Sequence, residues 1–397
     1  MQIGWIDFSK EERNKVIEVM SLLNTPGAVD ELGIGIIRDA FANTFFPGTS
    51  TVQTRAKYFL IVPYLLKEAV DGRYKDDVNQ ILRKIDEEEK HCAEIMVKGD
   101  IDGVIGVDSL PGWVVRPPSN IYWNGIKQFG IFRRPELSIK EYVAQSIIIR
   151  KTKDVKSLGN RVDDADEGEK DDKDAGDLAS LQFWKLQEVY DSKWRNNLTI
   201  GLLPKEATFL RSQILMEMKG SLLELIMREN IPVGEIGSFK ELTEIVKNKA
   251  PNELNELMAL ANQFNELVML ARIRYNVILS DGNNELAKKR WAEKKDDIDT
   301  LANVNLSEVF SRLNIKNADL KTFLKALKSA FLANDIGEAD KLIEEREARI
   351  KGGARAKLKN REHYDNNAWI GGYDLDYRYA SAKRIIIDIY TGEVSGV

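Results

Sequence analysis

Cysteine and histidine are almost missing from this sequence: Cys92, His91 and His363 are the whole supply in 397 residues. A lone cysteine excludes an intrachain disulfide framework, and so few nitrogen and sulfur ligands exclude a zinc cluster at any recognised spacing. His91 and Cys92 are neighbours on a predicted helix and point in different directions. Long apolar runs are missing too. YFLIVPYLL and RIIIDIY fall well short of the roughly 18–20 residues that cross a bilayer, so no membrane span is expected. The opening MQIGWIDFSKEERNK lacks the basic-then-apolar order of a secretory signal, which makes the cytoplasm the expected location. GIGII and GVIGVDSLPG contain glycines, but neither the Lys-Ser/Thr of a phosphate loop nor a full dinucleotide fingerprint, and no G-x-S-x-G elbow occurs. No cofactor and no metal are expected.

Strict apolar–polar alternation is also scarce, whereas helical spacing recurs along the chain. With 43% hydrophobic and 30% charged residues there is ample material for a core, and the length suits more than one domain. SKEERNKVIEVMSLLN starts with Ser9 and Glu12 in capping-box register and stops at Thr25-Pro26-Gly27. DELGIGIIRDAFANTFF reads as a second helix, weakened at Gly33 and Gly35. The third is expected to be capped at Ser50 or Thr51 and is apolar nearly all round from Tyr58 to Leu66. It should therefore be central, with a kink at Pro63. A polar helix follows around Asp76–Met96. Short β-like pieces between Gly99 and Pro118 precede two helices capped by Ser119 and Ser138, a pair compatible with a helix-turn-helix or winged-helix-like unit.

Further on, PKEATFLRSQILMEMKGSLLELIMREN carries one apolar stripe. Leu254, Leu257, Ala261, Phe264, Val268, Ala271, Tyr275 and Ile278 form a seven-residue repeat, which fits an intramolecular bundle or self-association through 254–278. Helices near Asn317–Asn334 and Gly337–Ile350 follow, and YASAKRIIIDIYTGEV is either a last helix or an edge strand. The expected fold class is mainly α, in multi-helix bundle domains. Four regions are expected: an N-terminal helical domain over 1–151, a flexible acidic linker or loop over 152–177, a helical bundle over 178–350, and a basic segment with a C-terminal element over 351–397.

The net charge of −5 hides an uneven distribution. NRVDDADEGEKDDKDAGD holds nine acidic and three basic residues, whereas REARIKGGARAKLKNR (Arg346 to Arg361) holds seven basic and one acidic. The second stretch looks too dense in positive charge to be neutralised locally, and Gly352-Gly353 are expected to keep it mobile. Arg355, Lys357, Lys359 and Arg361 are therefore phosphate-contact candidates, near His363, Tyr364 and Trp369. Arg116, Tyr122 and Lys127 form a second basic and aromatic group, although Trp123 and Phe129 at helical spacing fit a core better than a platform. The third group is the start of the central helix, Gln53, Thr54, Arg55 and Lys57. It suits an anion at a helix N-terminus. It equally suits an Arg55 paired with a carboxylate such as Asp30, Asp39 or Asp376, and the pairing is the preferred reading. Asp374 and Asp376, with Lys383 and Asp108, offer carboxylates for a divergent metal-dependent nuclease.

GWIDFS, FPGTSTVQTRAKYFLIVPYLL, PPSNIYWNGIKQFGI, LPKEATFLRSQI and LDYRYASAKRIIIDI together resemble an uncharacterised bacterial family whose members carry a domain of unknown function. The acidic stretch Thr152–Asp177 has no counterpart in that family, and Tyr379 stands where relatives tend to have Trp. The resemblance implies a setting among phage-defence and mobile-element genes, near helicases and phospholipase-D-like nucleases, and supplies no established catalytic residues to carry over. Taken together, the expectation is a non-catalytic subunit that binds DNA or RNA, a helicase or nuclease partner, or both. The alternatives are the nuclease and a pure scaffold.

Overall fold

A computed structural model describes residues 30–71, 77–160, 183–365 and 368–395. Fourteen α-helices and no strand occur among them, so the protein is mainly α as expected. In chain order the first seven are α1 (Gly35–Phe45), α2 (Tyr58–Asp71), α3 (Val78–Met96), α4 (Pro118–Gln128), α5 (Ile139–Asn160), α6 (Pro204–Glu217) and α7 (Leu222–Arg228). Then come α8 (Phe239–Val246), α9 (Asn252–Leu279), α10 (Glu285–Lys294), α11 (Leu306–Arg312), α12 (Ala318–Leu332), α13 (Ile336–Lys351) and α14 (Tyr379–Val394). The helix expected at Ser9 lies outside the described residues.

The chain forms two compact units, one of Met1–Phe41 with Asn255–Leu375 and one of Ala42–Leu254 with Asp376–Val397. The breaks fall inside α1, at the start of α9 and ahead of α14. This division differs from the four regions drawn on charge, because non-local contacts join sequence-distant helices into one unit. Most of the acidic stretch lies outside the described residues, and 152–160 continue α5.

In the unit built around α2, Tyr58 to Leu66 are all buried, as an apolar belt without charge demands. Pro63 sits within α2 without ending it. The helix begins at Tyr58, not at Ser50 or Thr51: residues 50–57 form turns, with Gln53 donating back to Gly48 O. Helices α3 and α4 pack on α2, and α14 packs on α6. The C-terminal segment left open between helix and strand is a helix. Trp123, Phe132, Tyr142, Phe183 and Trp184 form a buried aromatic cluster, in which Trp184 Nε1 donates to Tyr142 Oη at 2.9 Å. Trp123 and Phe129 are thus core, as their spacing suggests. The stripe read through PKEATF…MREN is two helices, because Gly220 adopts φ +81° and Ser221 caps α7.

The other unit is organised on α9. Every member of the seven-residue repeat is buried. Asn317 and Asp335 cap α12 and α13, which pack together as a helical hairpin. Asp30 starts α1 by accepting from the amides of Ile34 (2.9 Å) and Gly35 (2.5 Å).

Candidate nucleic-acid interface

The N-terminal end of α2 is where the sequence suggests either an anion or, preferred, an Arg55 paired with a carboxylate, and a carboxylate of the chain itself holds that position. Asp388 of α14 accepts from Arg55 Nε at 3.0 and 3.1 Å and from the Ala56 amide at 2.7 Å. The partner is therefore Asp388 rather than Asp30, Asp39 or Asp376. Burial outweighs the guanidinium and pushes the Asp388 carboxyl above its ordinary range. Arg55 Nη1 also donates to Asp102 O at 2.6 Å. Tyr122 Oη accepts from the amides of Thr54 (2.8 Å) and Arg55 (3.0 Å) and donates to Arg55 O at 2.9 Å. Burial holds that phenol up at about 12, so the hydroxyl keeps the proton it donates. Thr54 Oγ1 donates to Gly103 O (2.6 Å), and Gln53 bridges Gly48 O (3.2 Å) and the Ser50 amide (3.0 Å).

Lys57 is buried and donates to Glu206 Oε2 at 2.5 Å, a carboxylate that also accepts from the Leu203 amide at 2.8 Å. Thr54, Arg55 and Tyr122 thus share one hydrogen-bonded cluster with Asp388, while Gln53 closes the turn before it and Lys57 pairs separately with Glu206. Of the remaining candidates in this unit, Arg116 is exposed, and no ion pair forms on it among the described residues. Lys127 is half-buried in the last turn of α4, where burial lowers its pKa.

The basic segment tells a different story in the α9 unit. Five of the seven cations within these sixteen residues find carboxylate partners in the fold, several of them distant in sequence. Arg346 is buried against Leu32 O (3.0 Å) and Asp319, which also takes Arg349. Glu31 receives Lys351 and Lys357, the latter at 2.6 Å. Arg361 spans Asp281 (2.6 Å) and Glu344. The buried carboxylate of Glu347 accepts from Tyr275 Oη (2.6 Å) and the amides of Lys357 (3.1 Å) and Leu358 (2.9 Å), fixing the turn that follows Gly352-Gly353. Arg355 and Lys359 are exposed, and no ion pair forms on them among the described residues.

The nuclease candidates are similarly engaged. Asp374 accepts from Asn265 Nδ2 (2.8 Å), Asp376 accepts from the Arg378 and Ala380 amides (3.1 and 3.3 Å), and Lys383 donates to Ile236 O (2.9 Å). Among the described residues no three His, Cys, Asp or Glu side chains gather as metal ligands would.

Residues 1–166 match the model of DUF6361, a family of unknown function. That stretch takes in Gln53, Thr54, Arg55, Lys57, Arg116, Tyr122 and Lys127, while Glu206 and Asp388, which engage Lys57 and Arg55, lie beyond it. No curated protein and no solved structure matches the chain. No described helix is long and apolar enough to cross a membrane.

Sequence reading missed how the 368–375 segment is held. A polar line on α9, Asn265, Arg272 and Asn276, bonds its backbone or side chains at Leu375, Asp374, Tyr373 and Ile370. The only signal was their spacing of seven and four residues, which places them along one line of a helix that carries many other polar residues.

Proposed function

We propose that the protein is a non-catalytic subunit that binds nucleic acid, alone or with a protein partner, and that its phosphate contacts come from the basic segment of the α9 unit. One observation carries the reading. The neighbouring cations are matched by carboxylates, yet Arg355 and Lys359 stay exposed without one on a turn that Glu347 fixes. A fixed surface that keeps unmatched cations suits a polyanion, whose binding releases counterions. Arg116 supplies a further exposed cation in the other unit. The family resemblance suggests the setting, a bacterial defence or DNA-processing assembly in which a helicase or nuclease is the protein partner.

The test is binding of the full chain to labelled single- and double-stranded DNA and RNA across a salt series, with magnesium present and product length checked. A steep loss of affinity with salt and intact product is expected. No binding at low salt would remove the reading, and shortened product would replace it with the nuclease.

A further inference from the structure

Trp369 and Tyr373 lie with their rings nearly parallel, 6° apart in orientation and 5.8 Å between centroids. The guanidinium of Arg290, from α10, sits over both rings, at 4.7 Å from one centroid and 4.5 Å from the other. Yet Tyr373 remains 54% exposed. A single exposed ring is ordinary by itself; what sets Tyr373 apart is that it is held parallel to Trp369 under one guanidinium.

The locking is extensive. Gly371 and Gly372 take φ +91° and +76°, a succession that only glycine adopts without strain, and so turn the chain between the two rings. Trp369 Nε1 closes that turn on Gly372 O at 2.7 Å. Arg272 Nη1 donates to Tyr373 O. Buried Asn276 takes both backbone groups of Ile370, donating to its carbonyl at 2.9 Å and accepting from its amide at 2.7 Å. Side chains of α9 therefore fix the backbone, Arg290 fixes the rings, and Tyr373 is presented with little rotamer freedom left to lose. The basic segment is anchored to the same turn after α9: Arg361 bonds Asp281, and Asn284, three residues on, reaches Ala368 O at 3.5 Å.

We infer that Trp369, Tyr373 and Arg290 form a stacking platform for an unpaired base of single-stranded nucleic acid. The inference rests on the nucleic-acid reading above and adds to it the strand form and the contact. Aromatic faces stack on bases of any identity, and an unpaired strand exposes a base face that a duplex keeps stacked within itself. The cations of the basic segment supply the accompanying backbone attraction.

The full chain is titrated with a fluorescein-labelled oligothymidine and with a duplex of the same length. Tyr373→Ala is expected to weaken single-strand binding about tenfold, with the slope of log affinity against log salt unchanged and duplex binding unaffected. Tyr373→Phe should restore the single-strand affinity, because the ring and not the hydroxyl does the stacking. Single-strand affinity of Tyr373→Ala equal to that of the natural chain would overturn the platform and leave the phosphate reading standing. Failure of the natural chain to bind any nucleic acid would overturn both. Should Tyr373→Ala fail to fold, photo-crosslinking of the natural chain to a 5-bromodeoxyuridine oligomer decides. Adducts on the peptide holding Trp369 and Tyr373 support the platform, and adducts confined to other peptides overturn it.

Discussion

Arg55 and Asp388 stand 333 residues apart in the chain and meet at 3.0 Å where α2 begins. The carboxylate serves two donors at once, the guanidinium and the Ala56 amide at 2.7 Å, so α14 is tied to the central helix by a charge at its positive end. Removing it leaves a largely buried cation with only the longer contact to Asp100 at 3.6 Å as its carboxylate partner, and leaves the amide without its acceptor. Asp388→Ala should therefore destabilise by about 2–4 kcal/mol, below the upper range for a fully buried pair because Arg55 keeps Asp102 O. The urea midpoint measures this. A loss under about 1 kcal/mol would show that the tie carries no weight.

Lys57 is the second cation at that helix start, and its pair with Glu206 leaves the two side chains only 5% and 3% exposed. Lys57→Met should cost roughly 3–5 kcal/mol, since it leaves a buried carboxylate with one amide donor. The double change Lys57→Met/Glu206→Gln should cost less than Lys57→Met alone, because no stranded charge remains. Nucleic-acid affinity and its salt slope should match those of the natural chain. A shallower slope in the folded double variant would restore Lys57 as a phosphate contact.

Glu89 gives a pH dependence. It is buried on α3 and accepts from the Ser119 amide (2.5 Å) and hydroxyl (3.1 Å), which turns the expected cap of α4 towards α3. Burial outweighs these bonds and lifts its carboxyl from 4.5 to about 8. The folded chain thus holds a proton that the unfolded chain has released, so stability falls as pH rises from about 4.5 to about 8. Glu89→Gln, which cannot ionise, should lose this component. Its stability relative to the natural chain should rise across that window in urea titrations at several pH values. A difference that stays flat with pH would remove the assignment.

Local patterns were legible in the sequence and long-range pairings were not. The apolar belt of α2 and the cap at Ser138 are local patterns, and the structure adds Glu141 to that cap and caps at Asn317 and Asp335. By contrast, Lys357 meets Glu31 across 326 positions, so a stretch that looks unneutralisable in sequence is mostly neutralised in space. Tyr122 had a polar handle visible at once, but nothing local says that its hydroxyl is spent on the backbone of Thr54 and Arg55. Trp369 was visible beside the basic segment. Arg290, which fixes its ring, comes from a helix that carried no such signal.

Gly125 sets how closely α4 approaches the turn before α2. A Cβ there would lie 2.3 Å from Gly48 O, 2.7 Å from a Phe59 ring carbon and 3.0 Å from Gln53 Nε2. The first contact is backbone and cannot swing aside, so Gly125→Ala should cost about 3 kcal/mol or more. Gly234→Ala meets nothing within 4 Å and should stay within about 0.5 kcal/mol. Equal thermal midpoints for the two variants would contradict the close approach.

The basic segment can be separated from the rest of the protein's charge by reversal. Arg355→Glu/Lys359→Glu touches neither the Glu31 nor the Glu347 contacts, so the turn should stay folded. If both cations face phosphates, the slope of log affinity against log salt should become shallower for each lost contact, by about 0.9 on duplexes and about 0.7 on single strands of any sequence. Arg116→Glu makes the same change of sign in the other unit. A flattened slope in Arg355→Glu/Lys359→Glu with Arg116→Glu unchanged would place the phosphate track on the α9 unit alone. The reverse pattern would move it to the unit of α2. Parallel losses in both would mean that each unit contributes phosphate contacts, and an unchanged slope in both would return these cations to the role of solubilising surface charge.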